Sequence, residues 1–179
     1  INVALAGAGA FGIKHLDAIR TIDDVRVVSI VDRTTERAQE VADEYNIGHV
    51  TSDLAESLAL DEVHAVVLAT PTPMHAAQAI ACLDAGKHVE VEIPMCDNLA
   101  DGRRVIEAQQ RTGLVAMCGH TRRFNPSHQW VNRRVQAGDF AIQHMDVQTY
   151  FFRRTNTNAL GQPRSWTDHL LWHHAAHTV

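Results

Sequence analysis

The stretch INVALAGAGAFG, residues 1–12, decides the fold of this chain. Its first six residues, Ile1 to Ala6, form an apolar run that predicts a strand buried on both faces of a parallel sheet. Gly7, Gly9 and Gly12 follow in the spacing G-x-G-x-x-G. Apolar residues then recur every third position from Ile13, which predicts a helix directly after the glycines. A glycine run between a buried strand and a helix is typical of the first unit of a doubly wound sheet.

Each glycine has a separate task in such a turn. Gly7 permits the tight turn, Gly9 lets the backbone approach a pyrophosphate, and Gly12 lets the helix pack against the sheet. The first N–H groups of the helix, at Ala10 and Phe11, would face the phosphates. The stretch therefore predicts a dinucleotide-binding site.

Two residues beyond the glycines bear on which dinucleotide binds. Asp32 lies twenty residues after Gly12, at the end of the second apolar run, where its carboxylate would accept hydrogen bonds from ribose hydroxyls and favour NAD. Arg33 lies beside it, and a guanidinium at this position can pair with a 2′-phosphate and favour NADP. These residues leave the choice between NAD and NADP open.

The rest of the chain predicts two domains. Short buried strands alternate with helices up to residue 118, so residues 1–119 are predicted to form an α/β Rossmann domain with a doubly wound parallel sheet. Residues 120–179 read differently, with a helix over Phe124–Ala137, an antiparallel strand over Gln143–Arg154 and a helix over Asp168–Val179. Because a single strand cannot stand alone, this second unit is expected to be incomplete.

Composition excludes several classes of protein. Hydrophobic residues make up 45% and charged residues 21%, which is the balance of a globular protein and not of a disordered one. The net charge of −5 gives no reason to expect nucleic acid or an anionic membrane as partner, and no apolar stretch reaches membrane-spanning length. The three cysteines are widely spaced, which favours a reducing cytoplasm over a disulfide framework.

Three further segments carry a resemblance to a known family. TPTPMH at residues 70–75, AGKHV at residues 85–89 and EIP at residues 92–94 resemble, together with the glycine run, the glucose–fructose oxidoreductase/inositol dehydrogenase (Gfo/Idh/MocA) family. The resemblance implies a Rossmann domain followed by an α/β substrate domain with an open, mostly antiparallel sheet, through which a homo-oligomer could form. It also implies further cofactor contacts at Thr70, Pro71, His75, Glu92 and Pro94.

The sequence departs from the family pattern at two places. The family commonly has Glu-Lys-Pro where this chain has Glu92-Ile93-Pro94, and Ile93 cannot accept or donate a proton. The family's Asp-x-x-x-His pair aligns with His173 and His177. The general base is therefore expected to be a histidine, first His177, then His173, with His174 as a third candidate.

Segments 119–128, 148–154 and 164–174 resemble a subgroup that oxidises the hemiacetal of a dicarboxylate, usually with NADP. Five arginines in these segments suit such a dianion, because guanidinium pairs bidentately with carboxylate. On adjacent strand positions Arg153 and Arg154 point to opposite faces, so at most one should reach substrate. The expected substrate contacts are His120, Arg122, Arg123, Arg153, Arg164 and Trp166.

Three alternatives stay open at this point. His173 and His177 have a spacing that suits zinc, but no cysteine or carboxylate nearby completes a convincing set, so no metal is expected. Another dehydrogenase of the family, acting on a sugar or polyol, would need few arginines. A non-catalytic NADP-binding sensor would explain Ile93 as lost chemistry.

Overall fold

The structure, a computed structural model, describes residues 1–148, 150, 155, 157 and 163. Its contacts divide the chain into two units, Ile1–Gly119 and His120–Val179.

The first unit contains a six-stranded parallel sheet with the order β3-β2-β1-β4-β5-β6. This order reverses between β1 and β4, which places a crevice at the carboxyl ends of those two strands. The predicted doubly wound parallel sheet is thereby confirmed. The strands are β1 (Asn2–Ala6), β2 (Arg26–Val31), β3 (His49–Thr51), β4 (Ala65–Leu68), β5 (His88–Val91) and β6 (Ala116–Cys118).

Helices connect these strands and cover both faces of the sheet. Their ends follow local signals: Asn98 caps α5 by accepting from the Asp101 N–H, and Gly113 ends it in the left-handed conformation with φ +68°. The helices of this unit are α1 (Ala10–Ile19), α2 (Thr35–Tyr45), α3 (Leu54–Leu58), α4 (Thr72–Asp84) and α5 (Leu99–Thr112).

The core has two layers, one on each face of the sheet. Along β1, Ala4 belongs to the layer under α4 and α5, whereas Leu5 belongs to the layer under α1 and α2. Along β4, Val67 and Leu68 divide in the same way. Because successive side chains of a strand point to opposite faces, burial on both faces explains why these strands read as unbroken apolar runs.

The second unit shows less regular structure among its described residues. A 3₁₀ turn, Thr121–Phe124, leads into α6 (Pro126–Gln136), and an isolated antiparallel bridge joins Thr157 to Pro163. The strand predicted over Gln143–Arg154 is wrong for its described part, since residues 143–148 and 150 are irregular. Alternation of polar and apolar residues does not make a strand without a neighbouring strand to pair with. The helix predicted over Asp168–Val179 lies outside the described residues.

Within the described part of the chain, no helix is long and apolar enough to cross a membrane.

Candidate cofactor-binding site

The glycine loop after β1 is shaped by backbone packing at two positions and left open at a third. Gly7 has φ +100°, and a Cβ added there would lie 2.5 Å from the Ala69 carbonyl oxygen. A Cβ added at Gly12 would overlap the Gly7 carbonyl oxygen, whereas one added at Gly9 would meet nothing within 4 Å. Gly9 therefore leaves the space through which a phosphate could approach the backbone.

The start of α1 provides the donors for that phosphate. Gly9 occupies the N-cap position, and no side chain caps the helix. Ala10 and Phe11 are exposed, and N–H groups in the first turn have no acceptor within their own helix. Lys14 adds a cation one turn later, with its Nζ 5.0 Å from the centre of the Phe11 ring. The open space at Gly9 and these donors fit the pyrophosphate of a dinucleotide.

Asp32, which follows β2, fixes the backbone of the glycine loop. Its Oδ2 accepts from the Ala8 N–H at 2.8 Å, and its Oδ1 accepts from the Thr34 N–H at 2.9 Å. Each carboxylate oxygen retains a lone pair for a ribose hydroxyl. Arg33 is exposed beside it, and its contact with a cofactor stays a prediction.

Arg37 is a neighbour of this site that the sequence does not single out. Its Nε donates to the Ala8 carbonyl oxygen at 2.8 Å, so the N–H and the C=O of Ala8 are both held, one by Asp32 and the other by Arg37. The only sequence signal is its place in the first turns of α2, directly after Asp32. Two guanidiniums, those of Arg33 and Arg37, thus lie on elements that flank the Asp32 carboxylate.

On the other side of the crevice, His75 joins the loops that follow β4 and β5. The side chain is only 1% exposed, and its ring nitrogens lie 2.6 Å from the Thr70 carbonyl oxygen and 2.8 Å from the Pro94 carbonyl oxygen. Thr70 is held further by its hydroxyl, which donates to Gln78 Oε1 at 2.5 Å. Because both ring nitrogens face backbone carbonyls, His75 holds the two loops next to each other. The expected direct contact of His75 with a cofactor stays a prediction.

The other predicted residues of these loops differ in exposure. Pro71 is exposed and Thr70 is half-buried, so both can be reached from the crevice. Pro94 is buried, and the peptide bond before it is cis. Ile93 is 6% exposed, so the residue at the family's usual lysine position contributes to the interior.

Glu92 is paired with a histidine from α1. His15 Nε2 lies 2.8 Å from Glu92 Oε1, and the Ile93 N–H donates to Glu92 Oε2 at 3.2 Å. The hydrogen bond with Glu92 raises the pKa of His15 above 6.5, although burial opposes this rise. Burial also works to raise the pKa of Glu92, but the hydrogen bond and charge of His15 outweigh it, and the pKa falls below 4.5. The pairing therefore favours the charged form of both groups.

Glu90, which lies on β5 two residues before Glu92, is a third titratable group at this edge. Its Oε2 is buried without a hydrogen-bond partner among the described residues. Its Oε1 fills the space over Gly119, where an added Cβ would lie 2.6 Å away. Burial raises the pKa of Glu90 to about 7, with a smaller lowering by His15 and a smaller raising by Glu92.

The predicted substrate contacts belong to the second unit, and the structure describes three of them. His120 and Arg122 are half-buried and Arg123 is exposed; the two arginines lie in the 3₁₀ turn before α6. The remaining predicted residues lie outside the described part of the chain: Arg153, Arg164, Trp166, His173, His174 and His177. Among the residues described, no group of three or more metal-ligating side chains could hold a metal ion.

Residues 1–120 match the oxidoreductase family with an NAD-binding Rossmann fold, and residues 126–179 match the C-terminal region of bacterial oxidoreductases. The chain belongs to the Gfo/Idh/MocA oxidoreductase family. The resemblance seen in the sequence is thus confirmed. A solved structure of a probable dehydrogenase from Thermotoga maritima superposes with a TM-score of 0.74 at 29% identity, over 77% of this chain and 41% of that one.

Named relatives of this Gfo/Idh/MocA chain act on different substrates. The chain is 64% identical, over all 179 residues, to the 4-carboxy-2-hydroxymuconate-6-semialdehyde dehydrogenase of a Sphingobium strain, and covers 57% of that enzyme. It is 33% identical, over 65% of its length, to the NADP⁺-dependent scyllo-inositol 2-dehydrogenase of Bacillus subtilis, and covers 36% of that enzyme. Relatives include both NAD⁺ and NADP⁺ enzymes, which supports an NAD(P)-binding site.

Proposed function

We propose that the protein containing this chain oxidises the cyclic hemiacetal of 4-carboxy-2-hydroxymuconate-6-semialdehyde to 2-pyrone-4,6-dicarboxylate, a step in the 4,5-cleavage of protocatechuate. The observation that carries the proposal is 64% identity to the Sphingobium enzyme across both units of the chain. The NADP⁺-dependent inositol enzyme is only 33% identical over 65% of the chain. The chain spans about half the length of the curated relatives it matches, so the activity belongs to the complete protein.

On the cofactor side, the described residues would bind and orient a dinucleotide. The glycine loop and the first N–H groups of α1 would hold the pyrophosphate, and Asp32 would accept from the adenosine ribose. The nicotinamide half would then lie toward β4 and β5, beside Thr70, Pro71 and Glu92. When bound, a nicotinamide cofactor supplies the acceptor for the hydride that leaves the hemiacetal carbon. We propose NADP as the preferred cofactor, with Arg33 facing the 2′-phosphate.

On the substrate side, arginines would bind the two carboxylates and a histidine would accept the hydroxyl proton. Among the described residues, neither Arg122 nor Arg123 has an ion-pair partner, so both guanidiniums remain available for carboxylate. Ile93 cannot take the proton. His177 is the first candidate and His173 the second, because histidine exchanges protons near the operating pH.

The test is an assay of the complete protein at 340 nm, with the semialdehyde prepared by enzymatic 4,5-cleavage of protocatechuate. NADP⁺ and NAD⁺ are supplied in turn, and myo-inositol and glucose serve as alternative substrates. Turnover of the semialdehyde alone supports the proposal. Turnover of inositol or glucose without the semialdehyde would assign the protein to the sugar and polyol dehydrogenases, and cofactor binding without any turnover would make it a sensor.

Two substitutions test the proposed roles within this assay. His177→Ala should lower kcat by roughly 10²-fold or more if His177 is the base, whereas His144→Ala, at an exposed histidine, should not change it. Arg122→Gln should mainly raise KM, because it removes a contact with a carboxylate. Unchanged kcat in the His177 variant would transfer the role of base to His173 or His174.

The oligomeric state and the location of the protein are also proposals. A homo-oligomer is expected to form through the sheet of the substrate domain, and size-exclusion chromatography with light scattering on the complete protein tests it. No nucleic acid or membrane partner is proposed. A cytoplasmic location is proposed from the wide cysteine spacing.

A further inference from the structure

The ion pair between His15 and Glu92 connects two parts of the fold that are 77 residues apart in the chain. Their side chains are partly buried, with relative exposures of 25% and 18%. At this burial the pair is shielded from water more than an ordinary surface salt bridge, so it constrains both side chains. Each oxygen of the Glu92 carboxylate accepts one hydrogen bond and keeps a free lone pair.

The position of Glu92 in the sheet places it on the nicotinamide side of the crevice. The Glu92 N–H donates to the Leu68 carbonyl oxygen at 3.0 Å, so the end of β5 is fixed beside the end of β4. Asp32 lies at the end of β2, on the opposite side of β1. A dinucleotide whose adenosine ribose meets Asp32 and whose pyrophosphate meets the glycine loop extends toward β4 and β5.

Two other titratable groups lie beside the pair; neither hydrogen-bonds to His15, although the charge of Glu90 also raises the pKa of His15. Glu90 faces the pair from β5, but its carboxyl packs over Gly119 and makes no bond to the imidazole. His75, on α4, is directed to the Thr70 and Pro94 carbonyl oxygens. Glu92 is therefore the hydrogen-bond partner of the His15 side chain.

We propose that His15 is a positioning residue, which holds the Glu92 carboxylate as a hydrogen-bond acceptor for an O–H or N–H group of the nicotinamide half of the cofactor. This inference rests on the proposed function, because it requires a nicotinamide cofactor. The imidazolium neutralises the carboxylate and fixes the direction of its lone pairs. A free glutamate at the same position would lose rotamer freedom on binding and would bind less tightly.

The experiment measures binding of NADPH and NADH to the complete protein by fluorescence titration between pH 6 and 9, with a thermal unfolding curve for every variant. His15→Ala should weaken binding about 10-fold or more, the usual effect of losing one hydrogen bond to a charged group. His15→Gln retains an N–H donor toward Glu92 and should restore most of the affinity. The matched control is His64→Gln, since His64 accepts from the Asn2 N–H at the amino end of the sheet.

The pH profile separates positioning from a merely structural role. Wild-type affinity should fall several-fold as the pH rises through the pKa of His15, because the imidazole loses its charge. The Gln variant should show a smaller fall, because only Glu90, with a pKa of about 7, still gains charge beside Glu92 in this range, and His64→Gln should follow the wild type. This pattern, with unfolding temperatures that do not track affinity, supports the proposal.

Three results would overturn it. Wild-type affinity and pH profile in His15→Ala would show that Glu92 needs no partner. If both His15 variants lost affinity in proportion to a fall in unfolding temperature, the pair would only stabilise the fold and would not position Glu92 for a cofactor. Failure of the wild type to bind either cofactor would refute the proposed function itself, and with it the ligand that His15 is proposed to serve.

Discussion

The glycine loop allows cofactor affinity and stability to be changed separately. Gly9→Ala adds a methyl group that meets no protein atom within 4 Å, so the free energy of unfolding should change by less than about 0.5 kcal/mol. Gly12→Ala drives the same methyl group into the Gly7 carbonyl oxygen. Because backbone cannot move aside as a flexible side chain can, a cost of about 1–3 kcal/mol is expected. For a chain of this size that is a fall of roughly 2–12 °C in Tm.

Cofactor affinity, in contrast, should fall in Gly9→Ala, the variant whose stability is expected to be unchanged. In Gly9→Ala the methyl group occupies the approach of the pyrophosphate, and loss of one charge-assisted hydrogen bond, about 1.5–3 kcal/mol, is a roughly 10- to 150-fold weaker Kd. Gly48→Ala is the matched control, since Gly48 is exposed and an added Cβ there also meets nothing within 4 Å. NADPH fluorescence titration and thermal unfolding measure both quantities. Unchanged Kd in Gly9→Ala, or a loss of stability as large as that of Gly12→Ala, would refute the reasoning.

Three other perturbations have expected outcomes. Leu68→Ala, at a fully buried side chain of β4, should cost about 2–5 kcal/mol in the free energy of unfolding, whereas Leu99→Ala, at an 82% exposed side chain, should cost under about 0.5 kcal/mol in denaturant titrations. If both guanidiniums face the 2′-phosphate, Arg33→Ala and Arg37→Ala should each weaken NADPH binding about 10-fold relative to NADH binding. An unchanged ratio of the Kd for NADPH to the Kd for NADH in Arg37→Ala would show that Arg37 only holds the Ala8 carbonyl. The raised pKa of Glu90 gives the wild type stability that is present below pH 4.5 and is lost as the pH rises through about 7. Glu90→Gln lacks this loss, so its free energy of unfolding should rise relative to that of the wild type by on the order of 1–3 kcal/mol over this range. The same difference between variant and wild type at pH 5 and at pH 8 would contradict this.

The sequence predicts the first unit well because its strands and helix ends depend on residues close together in the chain. Ile1 to Ala6 reads as a doubly buried strand, and the structure places Ala4 and Leu5 in opposite layers of the core. Gly113 ends α5 in the left-handed conformation, which glycine adopts without strain. In the second unit the same rules fail over the described part of the predicted strand Gln143–Arg154, for which alternation of polar and apolar residues is the only signal. Strand formation depends on pairing partners, and partners are a property of the fold, not of the segment.

The candidate site is predicted less completely, because much of it consists of contacts between distant residues. Asp32 is evident from its place at the end of an apolar run. Nothing in the sequence indicates that His15 pairs with Glu92, or that Arg37 reaches back to Ala8, since these bonds depend on how α1 and α2 lie on the sheet. His75 is evident as part of a motif, but its two bonds to carbonyl oxygens emerge only from the fold.

The burial of Ile93 constrains where the proton acceptor for the proposed oxidation lies. A buried lysine at a 6% exposed position would need a charged partner to offset its desolvation, and Glu92 is already paired with His15. His75 has both ring nitrogens directed to carbonyls. Of the described titratable groups at this edge, Glu90 alone keeps an oxygen without a partner, and that oxygen is buried. The described titratable side chains at this edge thus offer no accessible base, which supports the proposal that a histidine elsewhere in the protein, His177 first, accepts the proton.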